Sequence, residues 1–407
     1  MLTMGLIEDL SALNRFRLPE PLMYAKGAGA RGVFVPYMTM KEHTKAGFLQ
    51  NADIETPVFV RFSRMMGRPG SADTVRDVRE FSVKFFTEEG IYDMVGSSLP
   101  VTFIKDPLKY PSLFKALSPC PKTNIHSPAQ LWQFVADNPE AMHMITWLYS
   151  NRGTVKSYRS MEGHSVHSYV WQNAGGERHW VRYHWLPLKG TEEISRQEAE
   201  FLAGYDPDVA VRDIYEAFEE GCCINYELCI QLIPAKQSVE NERSFLDPTV
   251  IWPESSVPYI KVGKMILRKG IENYSEDIEK CNFSPGRLVP GIELSPEPML
   301  QAMTFLAMNK EGSSFRNMCA GPVSSFLNQE IAVVDFEMQY PEQRDLITGQ
   351  LAWRLRSMTD KERDILIENM GEEMLFLDES LQFEIVRYLA DANEDFGVSL
   401  EKWLGLN

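Results

Sequence analysis

The 407-residue chain contains no run of 18 apolar residues, so it offers no segment that would cross a bilayer as a helix. Its first ten residues hold two acidic side chains and no basic one, so both the charged start and the long apolar stretch of a secretory signal are missing. The last four, Leu404-Gly405-Leu406-Asn407, do not form a peroxisomal tail. The expected location is the cytoplasm. Positive charge is also scarce: 41 Lys and Arg stand against 57 Asp and Glu, a net charge of −16. Such a surface repels phosphates, so neither nucleic acid nor a membrane is an expected partner. The six cysteines, Cys120, Cys222, Cys223, Cys229, Cys281 and Cys319, show no zinc-type paired spacing and are read as reduced thiols. Seven histidines occur, none beyond His184, and no metal site is expected.

What is present is ordinary material for a large core: 44% of residues are hydrophobic and 24% charged. Short β-branched and aromatic runs recur, separated by Gly, Pro and Asp. They are Pro57–Phe62, Phe81–Phe86, Val101–Ile104, Ser168–Trp171, Trp180–Trp185, Cys229–Ile233 and Tyr259–Leu267. Many such strands in one unit suggest a closed barrel, which leaves no unpaired edge. Helical patterns lie between them at Ser127–Phe134, Pro139–Tyr149, Glu193–Phe201 and Val209–Glu220. Residues 271–342 are rich in Pro, Gly and Ser and weakly periodic. From 343 the pattern turns helical. Thr359-Asp360-Lys361-Glu362 reads as a capping box, and Gly371 and Gly397 read as terminators. The expected organisation is a short N-terminal arm over 1–20, a β-barrel domain with helical insertions over 21–270, a wrapping segment over 271–342 and a C-terminal helical domain over 343–407.

Several ungapped segments carry a family resemblance. They are Ala25-Lys26-Gly27-Ala28-Gly29-Ala30, Pro57–Ser63, residues 70–86 (GSADTVRDVREFSVKFF), Phe103–Pro107, Asp247-Pro248-Thr249 and residues 290–301 (PGIELSPEPMLQ). Across nearly its whole length the chain resembles the haem catalases. The resemblance implies an α+β catalase fold: an eight-stranded antiparallel β-barrel, a wrapping segment and a C-terminal helical domain. It also implies particular residues at particular positions, and here the chain departs from the pattern.

The family moves a peroxide proton with a histidine, whose unperturbed pKa of about 6.5 lets it accept and return a proton at neutral pH. That position is Tyr24, a phenol of ordinary pKa about 10 that is a poor base but can donate a hydrogen bond. The family's peroxide-orienting asparagine corresponds to Ser97, a shorter donor. Catalases hold haem iron through a tyrosine, and that position is Ala307. The arginine that keeps the phenolate charged corresponds to Met303. An arginine of the propionate clamp corresponds to Pro21, while Arg61 remains; a buried arginine requires a partner, either a ligand anion or an internal carboxylate such as Asp73 or Asp77.

These departures give an expectation of a catalase-like protein that is not a working catalase. It would be haem-free, with the vacated pocket reused to bind or transform an unknown small molecule, as in specialised metabolism. Tyr24 and Ser97 are its candidate catalytic residues. Lys26, Arg61, Ser63, Ser98, Phe103, Met303 and Ala307 are candidate ligand-binding positions around the pocket. One alternative keeps haem through a different axial ligand, as a peroxidase or lyase. Another is a non-catalytic pseudoenzyme with a structural or regulatory role. Assembly as a homo-oligomer, dimer or tetramer, is the remaining expectation.

Overall fold

The structure is a computed structural model, and it describes residues 23–68, 70–235, 245–314 and 344–406. The arm expected over 1–20, Pro21, Cys319 and residues 315–342 of the wrapping segment lie outside the described residues.

Ten strands form one antiparallel sheet: β1 (Gly27–Pro36), β2 (Thr56–Arg64), β3 (Arg79–Thr87), β4 (Gly90–Met94), β5 (Gly163–His164), β6 (Tyr169–Gln172), β7 (Arg178–Pro187), β8 (Ile224–Pro234), β9 (Ile260–Gly270) and β10 (Ile292–Leu294). Their order is β10-β6-β7-β8-β9-β1-β2-β3-β4, with β5 also on β7. The sheet closes on itself through residues 96–98. Ser97 exchanges both main-chain hydrogen bonds with His164, at 2.7 Å each. On its other side Gly96 O accepts from Phe81 N at 2.9 Å, and Ser98 N donates to Arg79 O at 2.7 Å. The resulting ring has eight members: β1, β2, β3, the Ser97 segment, β5, β7, β8 and β9.

Period-two alternation sends large side chains into the ring. Phe34, Phe62, Phe81, Phe85, Trp185 and Tyr226 are all buried there. Phe81 lies parallel to Trp185 at 6.2 Å and edge-on to Phe62 at 4.9 Å, geometries that aromatic quadrupoles favour. β1 escaped the reading of strands from apolar runs because its first half is Gly-Ala-Gly-Ala. The reason is contact: a Cβ on Gly27 would lie 2.0 Å from Phe62 O, and one on Gly32 2.0 Å from Ile266 O. Val101–Ile104 was expected as a strand, but it is irregular. Val101, Phe103 and Ile104 are buried instead in a second core.

That second core joins the insertion helices Pro128–Asp137 and Met142–Leu148 to four C-terminal helices, Arg344–Ser357, Asp360–Met374, Glu379–Ala392 and Glu394–Leu404. The capping box is present: Thr359 Oγ1 accepts from Glu362 N at 3.3 Å, and Thr359 N donates to Glu362 at 2.8 Å. Neither Gly371 nor Gly397 ends a helix, contrary to expectation; both lie inside one. A Cβ on Gly371 would sit 2.3 Å from the Trp403 ring and one on Gly397 2.4 Å from Ala390 Cβ, so both glycines serve close helix packing. Among the described residues no helix is long and apolar enough to cross a membrane.

Candidate functional site

Strand phase decides what faces outward. Phe62 and Phe81 point into the ring, so their neighbours Arg61, Ser63, Glu80 and Ser82 project from its outer face. Directly paired residues share a face. Ser63 pairs with Glu80, Glu80 with Ser97, Ser97 with His164, and His164 with His184, which makes one polar row across the outside of the barrel.

Glu80 is buried near the start of this row. Ser63 Oγ donates to its Oε2 at 2.5 Å and Ser82 Oγ to its Oε1 at 2.7 Å. Arg61 Nη2 stands 3.4 Å from Oε2. The same guanidinium donates to Tyr24 O at 2.8 Å and to Cys281 O at 3.3 Å, while its Nε is buried without a partner among the described residues. The internal carboxylate expected for Arg61 is therefore Glu80. Asp73 instead lies 2.9 Å from Lys26, and Asp77 3.3 Å from Arg64.

Tyr24 leads into β1 with a left-handed backbone, φ 60°, a conformation that costs a tyrosine energy. Two hydrogen bonds hold it: its N–H donates to Met65 O at 3.0 Å, and its carbonyl receives Arg61. Burial first, then the charges of Glu80, Tyr110 and Asp77, push the phenol far above its ordinary pKa, against a smaller opposing effect of Arg61. Tyr24 is thus a neutral hydrogen-bond donor.

Tyr24, Arg61, Ser63 and Ser97 thus belong to one neighbourhood. Other expected residues are engaged elsewhere. The Lys26 ammonium is taken up by Asp73, Asp208 and the carbonyls of Ser71 and Pro207. Ser98 Oγ accepts from Arg79 N at 3.1 Å. Phe103 lies in the second core. Met303 and Ala307 are half-buried on the helix Pro298–Ser314, with Met303 against that core. The start of this helix is pinned by buried Glu297, which meets His167 Nδ1 at 2.5 Å and accepts from Ser168 N at 3.0 Å. Glu80 was missed as a site residue, although its signal was present: a carboxylate between Arg79 and Phe81 in an otherwise alternating strand.

The chain matches the catalase family over residues 1–311. The chain belongs to the catalase family. It is 43% identical over 302 residues to Catalase-2 of Bacillus subtilis, covering 73% of this chain and 44% of that protein. It is equally identical over 300 residues to a catalase of Methanosarcina barkeri, covering 74% and 59%. The chain therefore spans about half the length of the curated relatives it matches. A crystal structure of a fungal catalase superimposes with a TM-score of 0.89 at 27% identity, over 99% of this chain and 92% of that one. Catalase A from Saccharomyces cerevisiae gives 0.87 at 27% identity, over 99% and 94%. The architecture is the catalase fold, α+β with a curled antiparallel sheet and a C-terminal helical domain.

These relationships overturn two expectations. The chain was expected not to be a working catalase, its pocket given over to another molecule or to a non-catalytic role. Identities of 43% over most of the chain are to proteins named catalase, and they run against that expectation. A haem-free protein was expected too, and family membership makes haem the expected cofactor. Locally, the described residues do not hold haem in the manner the resemblance implies. Ala307 offers no axial oxygen, Met303 no charge, and Arg61 already faces Glu80. Among the described residues no group of three or more His, Cys, Asp or Glu is arranged to hold a metal ion.

Proposed function

We propose that this chain decomposes hydrogen peroxide as a haem-dependent member of the catalase family. The observation that carries this reading is the 43% identity over 302 residues to a protein named Catalase-2. The chain's own contribution is polar and pre-organised. Tyr24, its phenol proton firmly held, donates a hydrogen bond to an oxygen of the bound substrate. Ser97 lies across from Glu80 on the same outer face, on a main chain fixed at both edges, able to orient a second oxygen. Arg61 sets the Tyr24 backbone through the carbonyl bond and balances Glu80.

The test is direct. The purified chain, supplied with haem, should show a Soret band and release oxygen from hydrogen peroxide. Protein that takes up no haem and releases no oxygen refutes the reading. Homo-oligomeric assembly and a cytoplasmic location are part of the same proposal. Light scattering showing a monomer would remove the former.

A further inference from the structure

A site that loses its histidine base needs another group to carry a proton, and the described groups around Tyr24 narrow the choice. Tyr24 keeps its own proton. Arg61 has no lone pair to offer. Asp77 is already taken by Arg64 at 3.3 Å and by the Met66 N–H at 3.0 Å. Lys26 is held by four acceptors. Glu80 remains, opposite Ser63 on one side and Ser97 on the other, with all three on one face.

We propose that Glu80 is the acid–base residue of this site, taking a proton from a substrate hydroxyl held among Tyr24, Arg61 and Ser97 and returning it from the same carboxyl. The inference rests on the peroxide reading and deepens it. For hydrogen peroxide the step is H2O2 plus carboxylate giving HOO− plus carboxylic acid. An O–H bond breaks, another forms on Glu80, and no electron changes hands.

The surroundings suit both forms of the carboxyl. As the anion, Glu80 accepts from Ser63 and Ser82. As the acid, it can donate to one of them, because a serine hydroxyl rotates between donor and acceptor. Neither state leaves a carboxyl oxygen of Glu80 bare, which would be the costly condition. The Arg61 Nε–H, unpartnered among the described residues, can meet the anion that the transfer creates. The titratable groups facing Glu80 are Arg61 on β2, Tyr24 ahead of β1, and Cys281 in the segment after β9.

The experiment compares the haem-supplied wild type with E80Q and E80D. Loss of roughly 100-fold in oxygen release for E80Q, with the acid limb of its pH profile gone and partial rescue in E80D, supports the assignment. E80Q with the wild-type rate and limb overturns it while leaving the peroxide reading intact. A wild type that releases no oxygen removes the peroxide reading instead. The infrared difference between wild type and E80Q on acidification of the chain alone then decides the residue: a carboxyl stretch gained by the wild type above the background both share supports Glu80, and identical spectra overturn it. Melting temperatures of the variants show whether each is folded.

Discussion

His164 Nδ1 and His184 Nδ1 face each other at 2.9 Å, and one proton is enough for both. The direction of that proton follows from the next residue. Gln231 Nε2 donates to the carbonyls of Trp252 and Val257, so its Oε1 must accept from His184 Nε2–H at 3.0 Å. His184 Nδ1 is then the acceptor, and His164 Nδ1 the donor. Burial, His164 and Arg182 hold the His184 pKa well below its ordinary value.

A group with a depressed folded pKa contributes stability that is present above its unfolded pKa, about 6.5 for histidine, and lost as pH falls below it. The fold should therefore weaken between about pH 7.5 and 5.5, by about 1 kcal/mol from His184. His143, lowered to about 4 mainly by burial, adds a similar increment. Urea midpoints across that range should show a slope that His184→Gln reduces by about half. An unchanged slope would remove the ring-to-ring proton from the account.

Arg61 and Glu80 should behave as a coupled pair. Arg61→Ala strips a buried carboxylate of its cation and should cost about 3–5 kcal/mol, whereas the double variant Arg61→Ala, Glu80→Ala should cost less than the sum of the two singles. Denaturant titration of all four proteins measures the difference.

Gly371→Ala ought to stabilise an ordinary helix interior by nearly 1 kcal/mol on propensity alone. Here the added methyl would lie 2.3 Å from Trp403, and the expected outcome is a net loss of about 1–3 kcal/mol and a lowered melting temperature. A gain in melting temperature would return Gly371 to a terminating role.

Ser97→Ala should leave the fold intact and change stability by less than about 1.5 kcal/mol, since among the described residues the hydroxyl accepts only from Leu99 N at 3.2 Å. Ser97→Pro deletes the N–H that reaches His164 O and should cost about 3 kcal/mol or more. Circular dichroism and thermal melts of the two variants separate side-chain from main-chain duty.

Strands with clean alternation, such as β2, β3 and β7, could be read in the sequence because one face meets a continuous apolar core. β1 could not, since close main-chain approach at Gly27 and Gly32 removes the side chains on which such a reading depends. Val101–Ile104 misled for the opposite reason: its apolar character serves a core between layers, with no strand involved. At the site, Tyr24, Arg61, Ser63 and Ser97 were visible as resemblances and departures. The partner of Arg61 was sought in Asp73 and Asp77, which precede β3, whereas strand pairing brings in Glu80. Lys26 was placed by its neighbours in sequence, but its reach to Asp208 spans 182 positions and leaves no local trace.

Closure of the barrel at position 97 relies on peptide groups alone. The side chain there is released from architectural duty, so substitution can rewrite its chemistry while the enclosure survives. A lineage can thus explore new reactivity at the one point where the wall joins itself, with little structural penalty to slow it.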